Sequence, residues 1–166
     1  DGLERIFYTT VTAILTGIGF ALLLISGMIM RGEKIDTRRG LLWGAGGFIA
    51  FVLAPSLGLP PELPGMITSD ILARQTWWIA TAVASIVSLW FLVFSEKIYY
   101  KIFAVIIALT PHLVGAPHPE VLSANGVPPE LAAQFVTVSI AVGGLFWALI
   151  GGFSGYFYER LERTNS

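Results

Sequence analysis

The sequence predicts an all-α, polytopic membrane bundle of five transmembrane helices, and three observations carry that prediction. Hydrophobic residues make up 55% of the 166 and charged residues only 13%, where a soluble domain carries about a quarter charged. Mean hydropathy is +0.74. Charge-free runs recur along the chain at close to the roughly 20 residues that a bilayer crossing needs. The whole of 1–166 reads as a single transmembrane domain. Net charge is −1, so nucleic acid is not a natural partner. The absence of cysteine removes disulfides, thiolate metal sites and cysteine nucleophiles together. Any metal must then be held by histidine, carboxylate, methionine or backbone oxygen.

The first helix is expected over 6–30, which is free of charge and long enough to tilt. Its threonines bond back to helix carbonyls and do not contradict a span. No basic stretch precedes it, so it does not read as a signal peptide. A charged loop, Arg31 to Gly40, separates it from a second helix at 41–59, which Pro60 and Pro61 stop. A polar bridge with Asp70 and Arg74 leads to a third helix at 76–94, whose Trp77 and Trp78 mark a membrane interface as amphipathic rings do. The fourth helix, 101–114, is short and contains Pro111 and His112. A Pro/Gly-rich connection follows, and the fifth helix, 131–158, precedes a charged tail.

Positive charge orients the bundle. Arg31, Lys34, Arg38, Arg39, Lys97, Lys101, Arg160 and Arg163 fall on one side, and only Arg5 and Arg74 on the other. The positive-inside rule puts the C-terminus in the cytoplasm and the N-terminus outside, in a bacterial inner membrane. His112, His118, Glu62, Asp70, Glu120 and Glu130 then share the outer side. An exported N-terminus without a signal calls either for a segment upstream of Asp1, the favoured expectation, or for a first helix that inserts outside-first unaided. The second and fourth helices also end alike. Leu53-Ala-Pro55-Ser56 parallels Leu109-Thr-Pro111-His112, and each is followed by Pro-Pro-Glu-Leu. Pro-Pro-Glu-Leu alone could be a turn with helix-start punctuation, but with the Leu-x-Pro match the pattern predicts a two-hairpin repeat, with interrupted helices at matching positions as in many transporters.

His112 and His118 are the only histidines. His112 follows a helix-breaking proline, where an imidazole and freed carbonyls would receive a divalent cation. The alternative is an imidazole bonded to one of those carbonyls, holding the break in shape. His118 lies between two prolines, either as an exposed turn residue or folded back towards His112. Glu62 and Glu130 are helix-start residues, which need no further role, or mouth carboxylates that draw in cations. Arg74 snorkels at the interface or pairs with Glu62 or Asp70. Gly40-x-x-x-Gly44, Ala80-x-x-x-Ala84 and Gly151-x-x-x-Gly155 predict close helix packing. No Walker pattern and no Ser/His/Asp set with usable spacing is present, so the chain does not read as an enzyme.

Five strings carry a family resemblance: Gly40-Leu-Leu-Trp-Gly-Ala-Gly-Gly-Phe48, Leu53-Ala-Pro-Ser-Leu-Gly-Leu-Pro-Pro-Glu-Leu-Pro-Gly65, Arg74-Gln-Thr-Trp-Trp78, Pro111-His-Leu-Val-Gly-Ala-Pro117, and Phe146-Trp147 followed by Gly151. With them the chain, from about Gly40 to Arg160, resembles the probable cobalt transporter subunit family CbtA. The resemblance implies a membrane subunit of cobalt uptake linked to cobalamin synthesis. It also implies a single-span companion, CbtB, with a histidine-rich end. Co²⁺ or a similar divalent cation is then a substrate, and no resident cofactor is called for. The rival expectation is a non-transporting accessory subunit of a respiratory or photosynthetic membrane complex.

Overall fold

A computed structural model describes residues 2–119 and 127–165, and every element in it is helical. Helix α1 runs Gly2–Arg31, α2 Thr37–Phe48, α4 Ile71–Phe94, α5 Ile98–Val114 and α6 Pro129–Asn165. Between α2 and the one-turn α3 (Ala54–Ser56) lies a π-helical segment, Ile49–Leu53. Among the described residues, four stretches are long and apolar enough to cross a membrane: α1, Thr37–Ser56, α4 and Pro129–Thr164. Helix α5 is apolar but has only 17 residues.

Helix starts lie upstream of where the charge-free runs begin. Asp36 accepts the Arg39 backbone N–H at 2.8 Å and so starts α2 inside the loop predicted to be irregular. Asp70 accepts the Ala73 N–H at 2.9 Å and starts α4 five residues before the expected position. Both are side-chain caps for the otherwise unpaired first N–H groups of a helix. At the other end of the chain, α6 runs on through the charged tail. There Glu159 and Arg163 pair one turn apart, a spacing that supports exposed helix.

The chain divides into two compact units, Asp1–Ala45 with Leu145–Ser166, and Gly46–Gly144. In the first, α1 turns Leu24 and Met28 inward and leaves most of its surface exposed. Trp43 seats against Gly27 of α1, and Phe20 meets Trp147 with ring centroids 4.7 Å apart. Gly40 and Gly44 of α2 cross Gly151 and Gly155 of α6 so closely that a Cβ on any of them would strike backbone of the neighbouring segment. The predicted small-residue packing is thus realised at its limit.

In the second unit, α4 and α5 form a hairpin joined by a short connection. Phe91 stacks on Tyr100 at 5.5 Å, near that connection. The buried face of α4 is Trp77, Thr81, Ala82, Ser85 and Ser88. It lies off the predicted Ala80/Ala84 stripe, for Ala80 is exposed. Thr81 can occupy the tight face because its hydroxyl donates to the Trp77 carbonyl at 2.8 Å and leaves no polar group unmet. Trp77 itself is only 7% exposed. It is a packing residue of this unit, since a buried indole finds an acceptor for its N–H.

Candidate functional site

The second unit holds two of the predicted site residues, Glu62 and His112, close to the helical prolines Pro55 and Pro111. At Pro55 the helix changes register. The Ala54 N–H donates to the carbonyl of Ile49, five residues back, so the chain is in a π-turn just where the proline ring would press on the carbonyl one α-turn behind it. The Ser56 hydroxyl donates to the Val52 carbonyl at 2.6 Å, one turn back.

At Pro111 the outcome differs from the predicted break. Helix α5 carries the proline inside it and continues to Val114. The Thr110 hydroxyl donates to the Ile106 carbonyl at 2.8 Å, one turn back. Gly115, at φ +90°, ends the helix, a conformation that glycine adopts without strain. The Pro111 carbonyl accepts the Gly115 N–H at 3.1 Å and the buried Trp77 indole N–H at 3.0 Å.

His112 is half-buried beside this node, its ring edge-on to Trp77 with centroids 5.6 Å apart and planes at 74°. Trp77 also presses on Gly58, just beyond α3. A Cβ at Gly58 would lie 2.7 Å from one ring carbon and 2.9 Å from the Ala116 methyl. One indole therefore touches the chain after the first proline and the helix around the second.

Glu62, in the loop after α3, is half-buried and makes a salt bridge with Arg74 of α4. Of the partners expected for Arg74, Glu62 is the one it takes. The pair stands at a cavity of about 570 Å³ shared with Pro55, Ser56, Gln75 and Trp78. His118 is exposed in the loop after α5 and lines a different cavity, of about 630 Å³, with Thr68, Ser69 and Asp70. It turns to the start of α4, since the Ser69 hydroxyl donates to the Pro117 carbonyl at 3.0 Å. His112 lines neither cavity. Glu130 is exposed in the first turn of α6. Glu120 lies outside the described residues. Among the described residues, no three His, Asp or Glu side chains gather where they could hold one metal ion.

Sequence reasoning missed Trp77 as the organiser of this region. The signal was present in the helical spacing of Trp77, Thr81, Ser85 and Ser88, which puts them on one face. It also passed over Asp70, whose place before α4 is a cap signature.

No curated protein and no solved structure matches the chain. The family of probable cobalt transporter subunits (CbtA) matches residues 1–159. The chain, with four membrane-length apolar helices among its described residues, is a membrane protein belonging to that family.

Proposed function

We propose that this protein is the membrane-embedded subunit of an importer for Co²⁺ or a similar divalent cation, which moves inward past the Pro111–His112 end of α5. The observation that carries the reading is the family match over residues 1–159. Imidazole suits first-row divalent metals and carboxylates add hard oxygen, which makes His112 and His118 the nitrogen donors and Glu62 and Glu130 weaker aids at the mouth. No covalent chemistry is assigned. The sequence has no nucleotide-binding loop, so a gradient or another protein drives the step.

In this reading the chain is one transmembrane domain with five crossings: α1, α2 through α3, α4, α5 and α6. The 17 residues of α5 rise only about 25 Å, short of the roughly 30 Å hydrocarbon core. Its Gly115 end therefore sits below the outer surface, where chain lining a cavity is tolerated. The N-terminus is outside and the C-terminus cytoplasmic, in a bacterial inner membrane. The two proline-bearing helices are matching members of a two-hairpin repeat, and a CbtB-like single-span subunit is the companion.

Radioactive cobalt uptake into vesicles carrying the protein, alone and with that companion, tests the reading. His112→Ala is expected to lower uptake about tenfold or more, as loss of a metal-handling group does. Undiminished uptake in that variant removes His112 from the pathway, and no uptake by the wild type in either preparation removes the function.

One observation favours the accessory-subunit reading: among the described residues, no three candidate ligands come together. Gentle purification distinguishes the two readings. Stoichiometric association with an electron-transfer or photosynthetic assembly, without bound metal by elemental analysis, favours the accessory role.

A further inference from the structure

We infer that Asp70 and His118 form a weak capture site for a first-row divalent cation, separate from His112. The inference rests on the transport reading for the identity of the ion and on local geometry for the site. Ser69 and Pro117 are joined by a 3.0 Å hydrogen bond across 48 positions of sequence. Asp70 and His118 are the next residues along each strand of that clip. Both line the same cavity of about 630 Å³, together with Thr68 and Ser69. This supplies one carboxylate, one imidazole, two hydroxyls and room for water.

The Asp70 carboxylate and the backbone at His118 are positioned before any ion arrives. One Asp70 oxygen, Oδ1, accepts the Ala73 N–H at 2.9 Å, and a carboxylate has further lone pairs to give. Pro117 and Pro119 flank His118 and restrict its backbone on both sides. An imidazole with a carboxylate suits Co²⁺ and its neighbours in the row.

Affinity is limited by local charge. The positive end of the α4 dipole lies at Asp70 and opposes a cation there. Arg74, the nearest basic residue along α4, is neutralised by Glu62. A two-residue site of this kind holds an ion briefly and releases it. Conduction needs binding that is favourable enough to admit an ion and weak enough to let it leave.

The test is titration of the full chain in detergent with CoCl₂, with free ion read by equilibrium dialysis and thermal unfolding followed in parallel. Asp70→Asn removes the charge and keeps the cap, since Asn caps a helix as well as Asp. Asp70→Asn and His118→Ala are each expected to weaken Co²⁺ binding by about tenfold, the lower end of what losing even an outer-shell partner costs a metal site. The double variant binds no more weakly than the weaker single. Wild-type affinity in Asp70→Asn, with unchanged unfolding, overturns the site. Vesicle uptake keeps the two proposals apart. Intact uptake with wild-type binding in Asp70→Asn removes the site and spares transport. Binding that depends on both residues, in a protein that moves no cobalt, upholds the site and removes transport.

Discussion

Pro55 and Pro111 set the same problem to two helices of one unit, and the chain answers it in two ways. At Pro55 the preceding turn widens into a π-helix, the helix stops after Ser56, and a cavity opens beside the Glu62–Arg74 pair. At Pro111 the helix stays α-helical and its carbonyl takes an indole N–H from α4. Ser56 spends its hydroxyl on the backbone one turn back. His112, at the matching position, meets the Trp77 ring edge-on. Proline alone therefore does not decide whether a helix ends. Trp77 touches both outcomes, donating to the Pro111 carbonyl in the second helix and filling the space over Gly58 after the first.

The largest effect should come from removing the shared ring. Trp77→Ala empties the space against Gly58 and takes the donor from the Pro111 carbonyl. It is expected to cost about 3–5 kcal/mol, the usual range for a buried aromatic cut to alanine, read by thermal unfolding in detergent. The ring-current shift of the His112 proton resonances should vanish in the same variant; its survival would separate His112 from Trp77. Gly58→Val acts on the first proline's side alone. Its Cβ meets the indole and Ala116, so overpacking of about 1–3 kcal/mol is expected. A perturbed His112 resonance in that variant would show that the ring transmits strain between the two prolines. Arg74→Gln should do least. It breaks a half-buried ion pair and is expected to cost about 1 kcal/mol, with the His112 resonance unmoved. A shifted His112 signal there would mean that the cavity beside Pro55 and the node beside Pro111 are one site.

The all-helical fold and the rough extent of its apolar stretches were legible because charge-free length is the dominant signal in a membrane chain. Their starts were not. Asp36 and Asp70 were read as loop charges, although both are caps and the backbone needs them there. The π-turn had no local mark beyond the proline itself, since a register change of one residue depends on what packs outside the helix. Among the site residues, the Glu62–Arg74 pair was foreseen as one of several partnerships. The association of His118 with Asp70 was not, for it depends on a hydrogen bond spanning 48 positions. Trp77 was read as an interface ring from its neighbour Trp78, a pairing that conceals opposite fates. Trp77 is buried beside His112, while Trp78 meets Phe51 with centroids 6.0 Å apart.

The crossing of Gly40 and Gly44 with Gly151 and Gly155 has a genetic consequence. Every side chain but hydrogen collides there with main chain, which cannot swing aside as a flexible side-chain end can. Alleles at these codons should therefore behave as nulls whatever residue they introduce, polar or apolar, small or large. A screen that scores loss of activity would rank them alongside ion ligands. Alanine at one of these glycines would then be no gentler than leucine, whereas at a ligand the severity of an allele follows the chemistry of its replacement.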